Sequence, residues 1–327
     1  MVITQTPFRI SFFGGGTDYK PYFEEHGGSV LSTTFDKYCY VTVRHLQPFF
    51  SYKNEITYAK IERTNRVDEI EHPAVREAMK FLGMSELRVA YEADLPAHSG
   101  LGSSSAFAVS LLEALYALRG TQTGKKRLAE EAIHLERDLC GESGGWQDQI
   151  AVAYGGLNRI DFSRDGFTVA PVILSKERKR ELNDSLMLFF TGLSRYSGSI
   201  ARDQIDAMPG KTRELAEMRR LVDEGERILV SGGDLSEFGA LLDYTWQLKR
   251  GLSGKISSDY IDAVYKKARD NGALGGKIMG AGGGGFLVLF VPPDRRDRVR
   301  SCLPDLLHVP FEFENTGTRI LYYAPEY

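Results

Sequence analysis

Cysteine is scarce in this 327-residue chain: Cys39, Cys140 and Cys302 are the only three, an odd number with wide spacing. That excludes a disulfide framework and a CxxC metal site, and it fits a reducing compartment, so a cytoplasmic protein is expected. The six histidines show no HxxH or HExxH spacing, so no structural zinc is expected. Net charge of one sign is nearly missing, at −3 with a sequence pI of about 6.1. Binding to nucleic acid or an anionic membrane usually requires a basic excess, and neither partner is expected. No apolar run approaches a membrane span, and M-V-I-T-Q-T-P lacks the charged start and apolar core of a secretory signal. Internal repeats and low-complexity linkers are also lacking.

What is present is a soluble-type composition, 42% hydrophobic and 26% charged, long enough for two domains that each bury a core. It is also rich in glycine, with 34 residues, many of them in three clusters. The first informative cluster, L-P-A-H-S-G-L-G-S-S-S-A (Leu95 to Ala106), runs into the helical spacing of Phe107, Leu111, Leu112, Leu115 and Leu118. Ser103, Ser104 and Ser105 therefore fall in a helix's first turn, where unpaired N–H groups and the dipole attract anions. Gly100 and Gly102 let the backbone approach a phosphate. One cap needs one serine, so three after G-L-G favour a phosphate cradle over a plain N-capped helix. No Gly-Lys-Ser/Thr closes it as in a Walker A loop, and no G-x-S-x-G makes it a nucleophile elbow.

The second cluster is the turn Gly14-Gly15-Gly16-Thr17-Asp18-Tyr19, which clears space and offers a carboxylate to sugar or alcohol hydroxyls; a tight hairpin with a solvated aspartate is the other reading. Arg9, on the strand leading into it among Phe8, Ile10, Phe12 and Phe13, needs a partner, whether a structural one or a ligand. Further along, Glu136 lies beside the apolar stripe of a helix expected over Lys125 to Cys140. Asp148 follows the break G-E-S-G-G-W-Q at the start of another. Two carboxylates on adjacent elements can divide labour between a metal and a substrate hydroxyl, although capping and solvation account for each alone. The third cluster, G-G-K-I-M-G-A-G-G-G-G-F (Gly275 to Phe286), formally contains G-x-G-x-x-G. It opens a strand instead of a helix, so it reads as a loop closing over a ligand and not as a dinucleotide fingerprint.

Around these clusters the patterning predicts strands over most of Val2 to Val43, at Ile56 to Ile61 and Leu87 to Tyr91, and a hairpin from Gly156 to Leu174. It predicts helices over Ser197 to Ala207, Thr212 to Ser231, Leu235 to Lys249 and Asp259 to Asn271, then a strand at Leu287 to Val291. A domain boundary is expected between Gly156 and Asn183.

Taken together, P-F-R-I-S-F-F-G-G-G-T-D-Y, L-P-A-H-S-G-L-G-S-S-S-A and K-I-M-G-A-G-G-G-G-F resemble, in this order and spacing, the three motifs of the GHMP kinases, the family of galactokinase, homoserine kinase, mevalonate kinase and phosphomevalonate kinase. The resemblance covers nearly the whole chain. It implies an α+β, two-domain fold: residues 1–170 as an ATP-binding domain like the second domain of ribosomal protein S5, and residues 171–327 as a ferredoxin-like C-terminal domain. It implies phosphorylation of a small-molecule hydroxyl with ATP and Mg²⁺. Asp148 and Arg9 match the catalytic pair, and Ser104 and Glu136 the Mg²⁺ ligands. Pro96, Ser99, Gly100, Leu101, Gly102, Ser103, Ser104 and Ser105 match the ATP loop. Gly14, Gly15, Gly16, Thr17, Asp18, Gly280, Gly282 and Gly283 match the substrate side.

Galactokinases carry Glu-His where this chain has Gly15-Gly16, which makes galactose a poor candidate. The G-G-G-T-D-Y form, with W-Q-L-K-R (Trp246 to Arg250) and Asp148-Gln149, most resembles the family's heptose 7-phosphate kinases, so a sugar phosphate is the expected partner. A substrate already phosphorylated needs a second cationic pocket, for which Arg195, Arg202, Lys249 and Arg250 are available.

Overall fold

The computed structural model describes residues 1–97, 99–193 and 197–325. Its spine is one long antiparallel pair, β1 (Val2–Phe13) and β2 (Gly28–His45), joined through the Gly14–Asp18 turn and a short helix, Lys20–His26. The first half of β2 pairs with β6 (Asn158–Ser163), itself paired with β7 (Gly166–Pro171). Its second half pairs with β5 (Leu87–Ala93), which is extended by the hairpin β3 (Asn54–Thr57) and β4 (Ile61–Thr64). β1 is therefore interior to a sheet, and it is buried along nearly its whole length.

Two segments from the far end of the chain complete this sheet. β12 (Phe313–Glu314) adds to β2, and β13 (Arg319–Tyr323) pairs with β1, Val2 opposite Tyr323. The second sheet is smaller and all antiparallel: β11 (Leu307–Val309), β8 (Leu186–Phe190), β10 (Phe286–Phe290) and β9 (Gly275–Ile278), in that order.

The helix Ser103–Leu118 lies across β1 and β2, and nearly every one of its residues is buried. A helix apolar on nearly all sides belongs inside a core, and its fully buried Ser110 hydroxyl is bonded to Thr4 at 2.9 Å. The core runs without interruption from the first sheet into the second-half helices: Phe238, on the helix Ser236–Arg250, meets Phe12 and Phe13 edge-on, with ring centroids 5.3 and 5.0 Å apart.

Most elements fall where the patterning puts them, with four differences. The helix Lys20–His26 interrupts the expected strand region, and a turn at residues 58–60 splits the strand expected over Ile56 to Ile61 into two. The helix expected over Lys125 to Cys140 is regular only through His134 and continues as one wider π turn, Leu135–Leu139. Finally, the return of β12 and β13 to the first sheet means that the two sheets do not divide cleanly at residue 170.

Candidate active site

The three glycine clusters converge on one cleft between the sheets. The phosphate loop forms its floor. Gly102, at φ +78°, caps the helix Ser103–Leu118 with no side-chain cap bond, leaving the first-turn amides of Ser103, Ser104 and Ser105 without an internal acceptor. All three serines line the cleft. Such uncapped amides at a helix start are suited to an anion. Leu101 is buried beneath the loop, with its carbonyl taken by the Arg9 amide at 3.2 Å, and Pro96 is exposed.

Arg9 is 2% exposed, yet its charge is matched. Nε and Nη2 donate to the two carboxylate oxygens of Asp148, each at 2.7 Å, and Nη1 donates to the Gly100 carbonyl at 2.6 Å. This two-pronged pair fixes the Asp148 carboxylate at the first turn of the helix Gln147–Tyr154, against the phosphate loop. The awkward cation in the apolar strand and the carboxylate after the glycine break are thus partners.

Glu136 is 2% exposed and sits in the π turn. Such turns are frequent at functional sites because the extra residue re-aims a side chain. Ser104 Oγ donates to Oε1, while Ser105 Oγ (2.7 Å) and the Gln149 amide donate to Oε2. Among the described residues no cation pairs with Glu136. A buried, hydrogen-bonded carboxylate without a counter-charge, beside an exposed serine hydroxyl on the cleft, is a donor set that fits a hard cation such as Mg²⁺. No group of three or more His, Cys, Asp or Glu among the described residues could hold a metal by itself, so the remaining ligands would come from phosphate and water.

The opposite wall is the glycine turn. Gly15 and Gly16 line the cleft, whereas Gly14 and Thr17 lie beneath it, the Thr17 hydroxyl being 2.8 Å from the Gly14 carbonyl and 2.9 Å from that of Ser29. Asp18 is 1% exposed; its Oδ1 accepts from the Gly16 amide at 2.9 Å and its Oδ2 from the Gln147 side chain at 3.0 Å. Burial raises its pKa above the ordinary carboxylate value. Sequence reasoning did not single out Gln147, Gly144 or Gly145, which hold this wall together.

A Cβ on Gly145 would lie 1.8 Å from Asp18 Oδ2, and one on Gly144 would lie 2.8 Å from the Arg137 guanidinium carbon. Gly145→Ala is therefore expected to displace Asp18 and destabilise the fold by about 1–3 kcal/mol, read as a lowered denaturation midpoint. A midpoint within error of the parent would show that Asp18 is not held as described.

The third glycine cluster supplies the roof. Gly280 and Ala281 line the cleft, and Gly280 presses so closely on the phosphate loop that a Cβ there would lie 2.7 Å from Gly100 Cα. The Ser99 carbonyl accepts from the Phe286 amide at 3.2 Å, tying the loop to the start of β10. Gly282 and Gly283 pack instead on Ile256, whose carbonyl accepts from the Gly283 amide at 2.8 Å.

Two buried lysines complete the surroundings. Lys277 donates to the carbonyls of Ser11 and Phe12 at 2.9 and 3.0 Å, and burial holds its pKa well below the usual lysine value. Lys249, 4% exposed, reaches the cleft and donates to the Gly280 carbonyl. Of the other basic candidates, Arg202 is exposed, Arg250 is paired with Asp262 at 2.6 Å, and Arg195 lies outside the described residues.

Two family models match this chain, the GHMP kinases N terminal domain over residues 69–156 and the GHMP kinases C terminal over residues 218–308, together more than half its length. The chain belongs to the GHMP kinase family. It has the two-domain fold of that family and is similar, at 28% identity over 90% of both chains, to the D-glycero-alpha-D-manno-heptose 7-phosphate kinase of Campylobacter jejuni. The L-fucokinase/L-fucose-1-P guanylyltransferase of Bacteroides fragilis is 26% identical over 92% of this chain, which spans 36% of that longer protein. The crystal structure of a D-glycero-D-manno-heptose 1-phosphate kinase from Bacteroides thetaiotaomicron shares the fold, with a TM-score of 0.80 over 99% of this GHMP kinase and 100% of its counterpart at 24% identity. No helix among the described residues is long and apolar enough to cross a membrane.

Proposed function

We propose that this GHMP kinase transfers the γ-phosphoryl group of ATP to the anomeric hydroxyl of a sugar phosphate, D-glycero-D-manno-heptose 7-phosphate. The product would be the 1,7-bisphosphate, on the way to GDP-heptose for surface polysaccharide. The observation that carries this reading is the Arg9–Asp148 pair, held at the edge of the phosphate loop and facing a glycine-cleared wall. Asp148 accepts the hydroxyl's proton as its oxygen approaches the phosphorus, and Arg9 keeps the carboxylate aimed. The uncapped amides of Ser103 to Ser105 and the helix dipole neutralise phosphate charge, which with positioning makes up most of the catalysis phosphoryl transfer needs. Mg²⁺, held by Ser104 and Glu136, would neutralise further phosphate charge when bound. Gly15 and Gly16 leave room for a sugar beside Gln147 and Asp18.

The similarity to the Bacteroides fragilis fucokinase supports a second reading within the same chemistry, a 1-kinase for fucose or another unphosphorylated sugar. ADP release with Mg·ATP across D-glycero-D-manno-heptose 7-phosphate, mannose 6-phosphate, fucose and galactose separates the two. Selective turnover of the heptose phosphate is expected. Preference for fucose would replace the substrate and keep the kinase, and silence on every sugar would overturn the proposed activity.

A further inference from the structure

We propose that Lys249 is a catalytic residue, its ammonium group binding the phosphoryl group in transit between ATP and the acceptor. This rests on the kinase reading above but not on which sugar is used. Lys249 projects from the last turn of the helix Ser236–Arg250, and its ammonium reaches the roof of the cleft, where one N–H is taken by the Gly280 carbonyl. Gly280 is the residue stacked on Gly100 of the phosphate loop, and the Gly100 carbonyl in turn holds Arg9 Nη1. Lys249 therefore reaches the phosphate loop from the second sheet's side through a single residue.

Charge distribution narrows what it does there. Three cations line the cleft among the described residues: Arg9, Arg137 and Lys249. Arg9 is neutralised by Asp148, and Arg137 spends its Nη groups on the carbonyls of Glu142 and Gly145 at 3.2 and 3.1 Å. Among the described residues no carboxylate lies within ion-pair distance of Lys249 or of Arg137, and of these two it is Lys249 that bonds Gly280, the residue stacked on the phosphate loop, so its charge is open to an anion there. The charged groups that face it are Arg9 on β1, Asp18 on the glycine turn, Asp148 on the helix Gln147–Tyr154 and Lys277 on β9. Arg9 and Asp148 are the pair assigned to the transfer itself, so an ammonium facing them favours the phosphoryl group over the far phosphate of the sugar.

In the transfer, the acceptor oxygen bonds to the γ-phosphorus as the bond from that phosphorus to the bridging oxygen breaks. The electron pair of the broken bond leaves with ADP, the hydroxyl proton goes to Asp148, and Lys249 keeps its protons throughout. Burial, with the nearby Arg9 charge, lowers the Lys249 pKa to about 8 in the free protein. The folded chain therefore binds fewer protons than the unfolded chain between that pH and the ordinary lysine value, so unliganded stability rises with pH across that window. An anion beside the ammonium reverses the shift, and phosphoryl binding takes up a proton.

Two measurements test the assignment. The first is kinetic, on whichever panel sugar is turned over. Lys249→Met is expected to lower kcat about 100-fold with the KM for ATP nearly unchanged, and to abolish a fall in kcat/KM above about pH 8. Unchanged kcat, or a loss confined to the KM of a phosphorylated acceptor, would overturn the proposal, the latter by moving Lys249 to the sugar's own phosphate. The second needs neither a sugar nor a variant: calorimetry of Mg²⁺ with a non-hydrolysable ATP analogue at pH 8, in two buffers of different ionisation enthalpy. Proton uptake with the triphosphate analogue but not with ADP is expected, and equal uptake with both would contradict a γ-phosphoryl contact. A chain silent on every sugar would sink the substrate reading and leave this second measurement decisive for Lys249.

Discussion

Asp148→Asn is expected to transfer phosphoryl about 10²–10⁴-fold more slowly than the parent chain while binding ATP with nearly the same affinity. The substitution is almost isosteric. The amide oxygen can still accept one of the two Arg9 bonds, but the amide nitrogen faces the other donor, and it cannot take a proton from the attacking hydroxyl. The proposed nucleotide contacts are left alone, because they are assigned to the loop amides and serines and not to Asp148. Single-turnover kinetics with a parallel nucleotide titration separates these effects. Turnover within tenfold of the parent would remove Asp148 from the chemistry, and loss of ATP binding would mean that the pair chiefly props up the loop.

The second large effect is expected from Glu136→Gln, a loss of about 100-fold or more in turnover at Mg²⁺ concentrations that saturate the parent chain, partly recovered as Mg²⁺ is raised. The geometry favours a clean result. The glutamine carbonyl can replace Oε2 and accept from both Ser105 and the Gln149 amide, while its NH₂ faces a Ser104 hydroxyl free to rotate and accept. The fold keeps its hydrogen bonds and loses one buried negative charge. Thermal unfolding without ligand should therefore change little, and removal of an uncompensated buried carboxylate should if anything raise the midpoint. Full activity with unchanged Mg²⁺ dependence would show that the carboxylate serves only the hydrogen-bond network.

Much of this site is legible in the sequence because its chemistry is local. The run of three serines after G-L-G, the G-G-G-T-D turn and the G-A-G-G-G-G stretch are each contiguous, and the demand for close backbone approach is written into the glycines themselves. The partnership of Arg9 with Asp148 was implied only by the resemblance to the GHMP kinases, because an aspartate at a helix start is accounted for by capping alone. What was not legible depends on residues far apart in the chain. Nothing in R-I-L-Y-Y says that it pairs with the opening strand some 320 positions earlier, as the register of Val2 with Tyr323 requires.

Lys249 sits in the last turn of an amphipathic helix, where a lysine usually faces water. Only the stacking of Gly280 on Gly100 turns that end of the helix into the roof of the cleft. The π turn that carries Glu136 is similarly hidden, since L-E-R-D-L continues a regular helical stripe. The pairing of Gly145 with Asp18 had one usable signal: two glycines before W-Q-D-Q where a single glycine suffices to break a helix.

The claim that everything else serves is that this cleft moves a phosphoryl group onto an anomeric oxygen. ³¹P NMR of the purified chain with Mg·ATP and D-glycero-D-manno-heptose 7-phosphate tests it most directly. ADP resonances are expected to grow together with a new phosphate signal coupled to the anomeric proton, while the 7-phosphate signal persists. ADP accompanied only by inorganic phosphate, or a new ester at any other position on the sugar, would contradict it.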